Sequence, residues 1–372
     1  MVATTPSPRR NIDNMKVKTI LLILMAVMLS ALLSGCSGGA MGSNSWSGLT
    51  ADAEKAYLAN GSFVYAVTLS NGSQAWRYPV EKADTKESFF AAPVMTDDGQ
   101  LLVASAGANH SLISLNANTG TVTWIFAEAE GGWISSLLVT EDAIYAPNTD
   151  GTLYALDLNG NLLWKQALDG QLWAPPVSDG EYLYVTSLDH QLYAISLRSH
   201  EIVWQKDLSG AVPGSPVLDA DGTLYIGTFG SEIIAIDTTS QNTSWSTTTN
   251  GWIWDAAVLE EGTLYVGDLE GYFYALDTAN GSTRWNPIQP NGPIVGTPLV
   301  TDDFIVIGTE SGTAYAIDRE GKIVWTQTVG GRLYSAPVQG GELILVSPME
   351  TDYVLVALDF EGRQVWNFTP AQ

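Results

Sequence analysis

The chain has 372 residues and carries 16 Lys and Arg against 40 Asp and Glu, a formal net charge of -24. With 45% hydrophobic and only 15% charged residues it has material for a large core and is not a disordered acidic segment. The acid excess excludes a phosphate-backbone partner, because nucleic-acid affinity rests on Lys and Arg, and a single cysteine excludes an intramolecular disulfide or a multi-cysteine zinc site.

Residues 1–14 are polar, and Met15 offers a second start with Lys16 and Lys18 as a positive n-region. From Thr19 to Leu33 the chain is almost purely apolar, too short for the roughly 20 residues of a spanning helix but suited to a signal-peptide h-region. The run ends at Leu33-Ser34-Gly35-Cys36, which resembles a bacterial lipobox, in which the cysteine thiol receives diacylglycerol. Residues 1–35 are therefore expected to be a signal peptide, with Cys36 as the lipidated residue and 36–46 as a flexible Gly/Ser tether. Cleavage before Cys36 removes four basic residues and one acidic one, so the remaining body is more acidic still. Ser37 is not Asp, so the usual Gram-negative inner-membrane retention signal is not present. The expected location is the bacterial cell envelope, held to the membrane by lipid and facing the periplasm or the exterior.

After the tether the sequence repeats. Trp76, Trp124, Trp164, Trp204, Trp245, Trp285, Trp325 and Trp366 recur every 40 or 41 residues after a first gap of 48. A small residue precedes each by nine or ten positions (Ala66, Ser114, Ala155, Ala194, Ala235, Ala275, Ala316 and Ala357), and in six repeats a Gly stands four before the Trp. Each unit holds four short β-rich runs separated by Gly, Asp and Asn turns, and no helical period of useful length follows residue 42. Four short strands per repeat, eight times over, predict an all-β fold: an eight-bladed β-propeller of four-stranded antiparallel blades over 47–372. One ring thus replaces the two or three domains that length alone suggests. The first repeat aligns without a gap from Ser47 to Trp76, and the last strand of the last repeat holds Trp366. No split blade is expected, and closure falls to face packing between the first and last blades.

The segment Ala275-Leu276-Asp277-Thr278-Ala279-Asn280-Gly281-Ser282-Thr283-Arg284-Trp285 resembles the tryptophan-docking motif of pyrroloquinoline-quinone repeat propellers, with related forms in all eight repeats. The resemblance implies that the eight periodic tryptophans pack between neighbouring blades and are structural. A lipobox followed by eight such repeats is also similar to the BamB-type outer-membrane assembly lipoproteins.

Quinoprotein dehydrogenases of that fold hold calcium and quinone in pockets built from long insertions and often carry a disulfide of adjacent cysteines. This chain has neither the insertions nor a second cysteine. The acidic pairs Asp97-Asp98, Glu141-Asp142, Glu260-Glu261 and Asp302-Asp303 recur at one repeat position, as turn chemistry does and a unique catalytic carboxylate does not. His110 and His190 align with Gly151 and Gly271, and His200 with the docking-motif Gly, so all three are expected at positive φ in turns. No nucleophile–base constellation assembles, and the expectation is a non-enzyme with no cofactor and no metal.

Five tryptophans lie off the docking column. Aligning the links between blades places Trp46, Phe90, Ser135, Trp173, Pro213, Trp254, Val295 and Tyr334 at one position. Two residues earlier stand Asn44, Ser88, Trp133, Gln171, Ala211, Trp252, Pro293 and Arg332, and strand periodicity would face both columns one way. The following position is small except for Asp255, as crowding at a propeller axis requires. Trp133, Trp173, Trp252, Trp254, Asp255, Arg332 and Tyr334 are accordingly expected to rim one mouth of the channel as a recognition face, with plugging of the channel or packing between blades as the bland alternative. The functional expectation is a lipid-anchored, monomeric propeller that binds another envelope protein without catalysis, as in outer-membrane protein assembly. A propeller for a small ligand or glycan and a degenerate quinone-dependent dehydrogenase are the rivals.

Overall fold

The computed structural model describes residues 46–81 and 86–371. The expected signal peptide, Cys36 and nearly all of the tether lie outside the described residues. Among the described residues there are 33 strands and no helix. Blade one runs in sheet order through Gly48–Ala51, Lys55–Asn60, Phe63–Thr68 and Gln74–Tyr78. The same antiparallel meander recurs over 94–126, 138–167, 177–207, 217–248, 299–328 and 338–368.

Position within a blade decides burial. The two middle strands lie between neighbouring blades, so both of their faces are covered. Tyr182–Thr186 and Gln191–Ser196 are buried at all but their first residues, which is why these segments read as unbroken apolar runs rather than alternating ones. The outer strand Ile202–Asp207 alternates between exposed and half-buried residues, and Trp204 is one of its half-buried positions.

In seven of the eight repeats the small residue that precedes the docking tryptophan is its cross-strand partner. Ala66 pairs with Trp76, Ala155 with Trp164 and Ala357 with Trp366, with a register shift directly after the small residue each time. A larger side chain there would push the indole off the neighbouring blade. Trp76 Nε1 donates to Ala117 O at 2.9 Å, Trp245 to Thr278 O at 2.8 Å and Trp325 to Phe360 O at 3.0 Å, each acceptor belonging to the next blade. The docking-motif glycine of that next blade lies under the ring: a Cβ on Gly160, whose φ is +81°, would sit 2.5 Å from Trp124. Blade four has His200 in place of that glycine, at φ 62°, and its imidazole stacks on Trp164 at 4.7 Å and 13°. His110 and His190 also take positive φ, 48° and 70°. All three histidines are turn residues, as expected.

The ring closes without a shared strand. Trp366 Nε1 donates to Leu69 O at 2.8 Å, and Leu49, Leu58 and Val67 of blade one share a core with Leu345, Leu355 and Phe368 of blade eight. The Ser335 hydroxyl adds a bond to Ser47 O near the axis.

Blade six departs from the pattern. Only Val258–Glu260, Thr263–Gly267 and Phe273–Asp277 form its sheet, and the fourth segment touches it through the isolated bridges Leu276–Thr283 and Phe273–Ile288. Pro287 and Pro290 fall in that segment, and a proline offers no N–H to a ladder. Trp285 still holds its docking place, packed on Gly321, but its buried Nε1 has no acceptor.

Backbone bonds define two ends of the barrel of blades. At one end the links run beside the turns between second and third strands, as in Leu269 N to Trp252 O at 3.0 Å and Leu188 N to Gln171 O at 3.1 Å. At the other, first–second turns meet third–fourth turns, as in Thr278 N to Gly262 O at 3.0 Å. Tyr–Asp latches tie turns to strands at both ends, for example Tyr57 to Asp52 and Tyr184 to Asp179, both 2.7 Å, and Tyr193 to Asp189 at 2.6 Å. Burial, reinforced by the aspartate partner, raises these phenols. Part of the acid excess therefore serves turn geometry.

Candidate functional site

The eight links meet at the axis around a cavity of about 310 Å³. Every residue of the aligned column (Trp46, Phe90, Ser135, Trp173, Pro213, Trp254, Val295 and Tyr334) lines it, one from each blade. Crowding at the next position is real: a Cβ on Gly214 would lie 2.6 Å from the Asp255 carbonyl carbon, and one on Gly296 2.7 Å from Ala336 N. Small hydroxyls at this level bond between blades, Ser136 to Ala92 O at 3.0 Å and Ser215 to Pro175 O at 2.8 Å.

Asp255 does the same work with a carboxylate. Its Oδ1 accepts Ala256 N–H at 2.8 Å and its Oδ2 accepts Thr297 N–H, from blade seven, at 3.2 Å. Asp255 is half-buried and lines the cavity. Burial raises its pKa, against the lowering effect of those backbone bonds and of the Thr297 hydroxyl.

Among the described residues, the column two positions earlier, from Ser88 to Arg332, does not share this wall. The links are irregular rather than paired strands over most of their length, so a two-residue spacing does not fix a common side. Trp133 is the clearest correction. It is fully buried against Phe126 and Tyr154, with Nε1 donating to His110 O at 2.8 Å, and is a core residue rather than part of an exposed rim. Arg332 does lie in a short strand, Arg332–Leu333 paired with Pro348–Met349, yet its guanidinium is clamped. It meets Glu310 at 2.5 Å and Glu350 at 3.1 Å, while the Tyr334 hydroxyl joins Glu310 at 2.9 Å. The Tyr334 hydroxyl and then the two carboxylates raise the Arg332 pKa further, so the group stays charged but matched.

Trp252 is the opposite case, 52% exposed and stacked on Phe229 at 5.1 Å and 25°. Phe229 also contacts Trp254 at 5.5 Å, so three aromatic rings run from the link-end surface to the cavity wall. Trp173 is half-buried with its Nε1 on Gln171 Oε1 at 3.1 Å. Sequence reasoning missed Phe229, whose only signal is a bulky aromatic in a turn, and the partners Glu310, Glu350 and Thr297, which have none. Among the described residues no three His, Cys, Asp or Glu side chains gather where they could hold a metal ion.

A family model described as "Outer membrane protein assembly factor BamB" matches residues 37–159, 149–251, 201–296, 235–320 and 289–372. The chain is similar to the outer membrane protein assembly factors BamB of Nitrosomonas eutropha, 23% identical over 239 residues, and Moranella endobia, 25% identical over 217. These matches cover 62% and 53% of this chain and 56% and 53% of the relatives, so the chain spans about half the length of the curated relatives it matches. Among solved structures it resembles BamB from Moraxella catarrhalis, with TM-score 0.68, 18% identity, and 86% of this chain and 96% of that one covered. It also resembles the computationally designed Ika8 protein, with TM-score 0.71, 10% identity and coverages of 88% and 97%. At those identities the two likenesses speak to the propeller fold.

Proposed function

The chain belongs to the outer membrane protein assembly factor BamB family, and from that premise we propose that it is a non-catalytic scaffold for outer-membrane protein assembly. In this reading it is a monomeric ring tethered through a lipid on Cys36, facing the periplasm, and it captures another envelope protein at the link end. The supporting observation is the ladder Phe229–Trp252–Trp254. A ring that buries its apolar residues between blades nevertheless leaves a large aromatic half-exposed at this end, stacked on a second and continuous with the channel wall. Such rigid aromatic area gives contact energy at little entropy cost.

Affinity purification after envelope crosslinking tests the reading. Recovery of an outer-membrane barrel assembly protein with the native chain, reduced in a Phe229→Ala, Trp252→Ala variant that melts as the native chain does, supports it. Recovery of no such protein, or equal recovery with the variant, overturns it. Lipidation is read separately by labelled palmitate, which should enter the native chain and be absent from Cys36→Ser.

A further inference from the structure

The axial cavity has a chemistry that closing a ring does not require. Five blades send an aromatic side chain to its wall (Trp46, Phe90, Trp173, Trp254 and Tyr334), and blade six sends Asp255, the sole charged residue of the lining. At the equivalent position the other blades carry Ser, Ala or Gly. Serine at or beside this level is enough to bond neighbouring blades, as Ser136 and Ser335 show. A half-buried carboxylate in its place costs stability unless it is matched. Its partners are all neutral, the N–H groups of Ala256 and Thr297 and the Thr297 hydroxyl, and no Lys or Arg lines the cavity. Each oxygen therefore keeps acceptor capacity toward the cavity.

We propose that the axial cavity binds a small organic cation of the alkylammonium class, with its charge against Asp255 and its alkyl groups among the Trp173, Trp254 and neighbouring rings. Aromatic faces attract cations, and do so most where water is excluded. A volume of about 310 Å³ lies at the small end of ligand pockets, which suits one compact headgroup. An anion would meet the Asp255 charge, and a neutral ligand would leave that charge buried and unmatched. The site is separable from partner capture, because Trp252 is outside the cavity lining.

Choline and butylammonium are the probes, titrated calorimetrically into the detergent-solubilised full chain, with dimethylbutanol as the neutral isostere of choline. Saturable binding of a cation is expected at millimolar concentration or below, with the isostere at least about tenfold weaker. Asp255→Asn and Asp255→Ser, the latter copying other blades, should fold cooperatively, melt no lower than the native chain, and bind at least about tenfold more weakly. Tyr334 is the other titratable group of the lining, and burial, the first cause, raises its pKa, so it stays neutral. Affinity should therefore rise with pH as Asp255 ionises, and binding should release a proton; both effects should vanish in Asp255→Asn. Equal binding of the isostere, unchanged binding by folded Asp255 variants, or no saturable binding of either cation overturns the proposal.

Discussion

The interblade seams and the axis use the same residue type for opposite purposes. At the seams eight tryptophans take the same docking place, seven of them paired with a small residue across the outer strand, and six packed on a glycine of the next blade. At the axis one aligned position holds eight side chains of six kinds, all of them on one cavity. Repetition at the seams follows from packing, since every seam must satisfy the same geometry. Variety at the axis is what packing alone does not demand, and it is where recognition has room to differ between blades.

Substitutions that test this division should grade from seam to axis. Trp133→Ala, which empties a fully buried site, should cost about 3–5 kcal/mol in chemical unfolding. A loss below that of a surface residue would return Trp133 to the recognition face. Trp124→Ala removes a half-buried indole and two hydrogen bonds, and should cost about 2–4 kcal/mol. Trp173→Ala and Trp254→Ala, on the cavity wall, should each cost less than about 1 kcal/mol. Costs as large as that at Trp124 would make the axis one more seam.

Two aspartates sharpen the contrast through pH. Burial would raise Asp52, but bonds from Glu54 N–H, the Tyr57 hydroxyl and Lys55 N–H outweigh it and hold the carboxyl below its usual value. Its stabilisation is present above about pH 4 and fades as pH falls through the depressed pKa. Asp255 has the opposite sign: its raised pKa gives a contribution present below about pH 4 and lost as pH rises. In thermal melts Asp52→Asn should lower stability at neutral pH, and Asp255→Asn should raise it. Both differences should shrink in acid. A neutral-pH loss in Asp255→Asn would show that the carboxylate is a structural clasp rather than a destabilising site residue.

The ring was legible because a period of about 40 residues marks packing, and in seven repeats the small residue before the Trp proved to be its cross-strand partner. The three histidines were legible for a related reason, since positive φ selects Gly or a tolerant substitute at a fixed turn position. The aligned link column was legible as the axis because the repeats share one frame there. Neighbours of that column were not. The links lack a ladder over most of their length, so spacing said nothing about side, and Trp133 and Trp252 ended in opposite environments from the same alignment position. The loss of a continuous outer strand in blade six had its signal in Pro287 and Pro290, which the docking motif around Trp285 masked.

The most direct test of the account places a photocrosslinking aromatic residue at position 252, on the link end, and at exposed position 361, on the opposite end, in living envelopes. The account predicts an adduct with an outer-membrane barrel assembly protein from position 252 and none from 361. Adducts of equal yield from both positions, or from 361 alone, would contradict it.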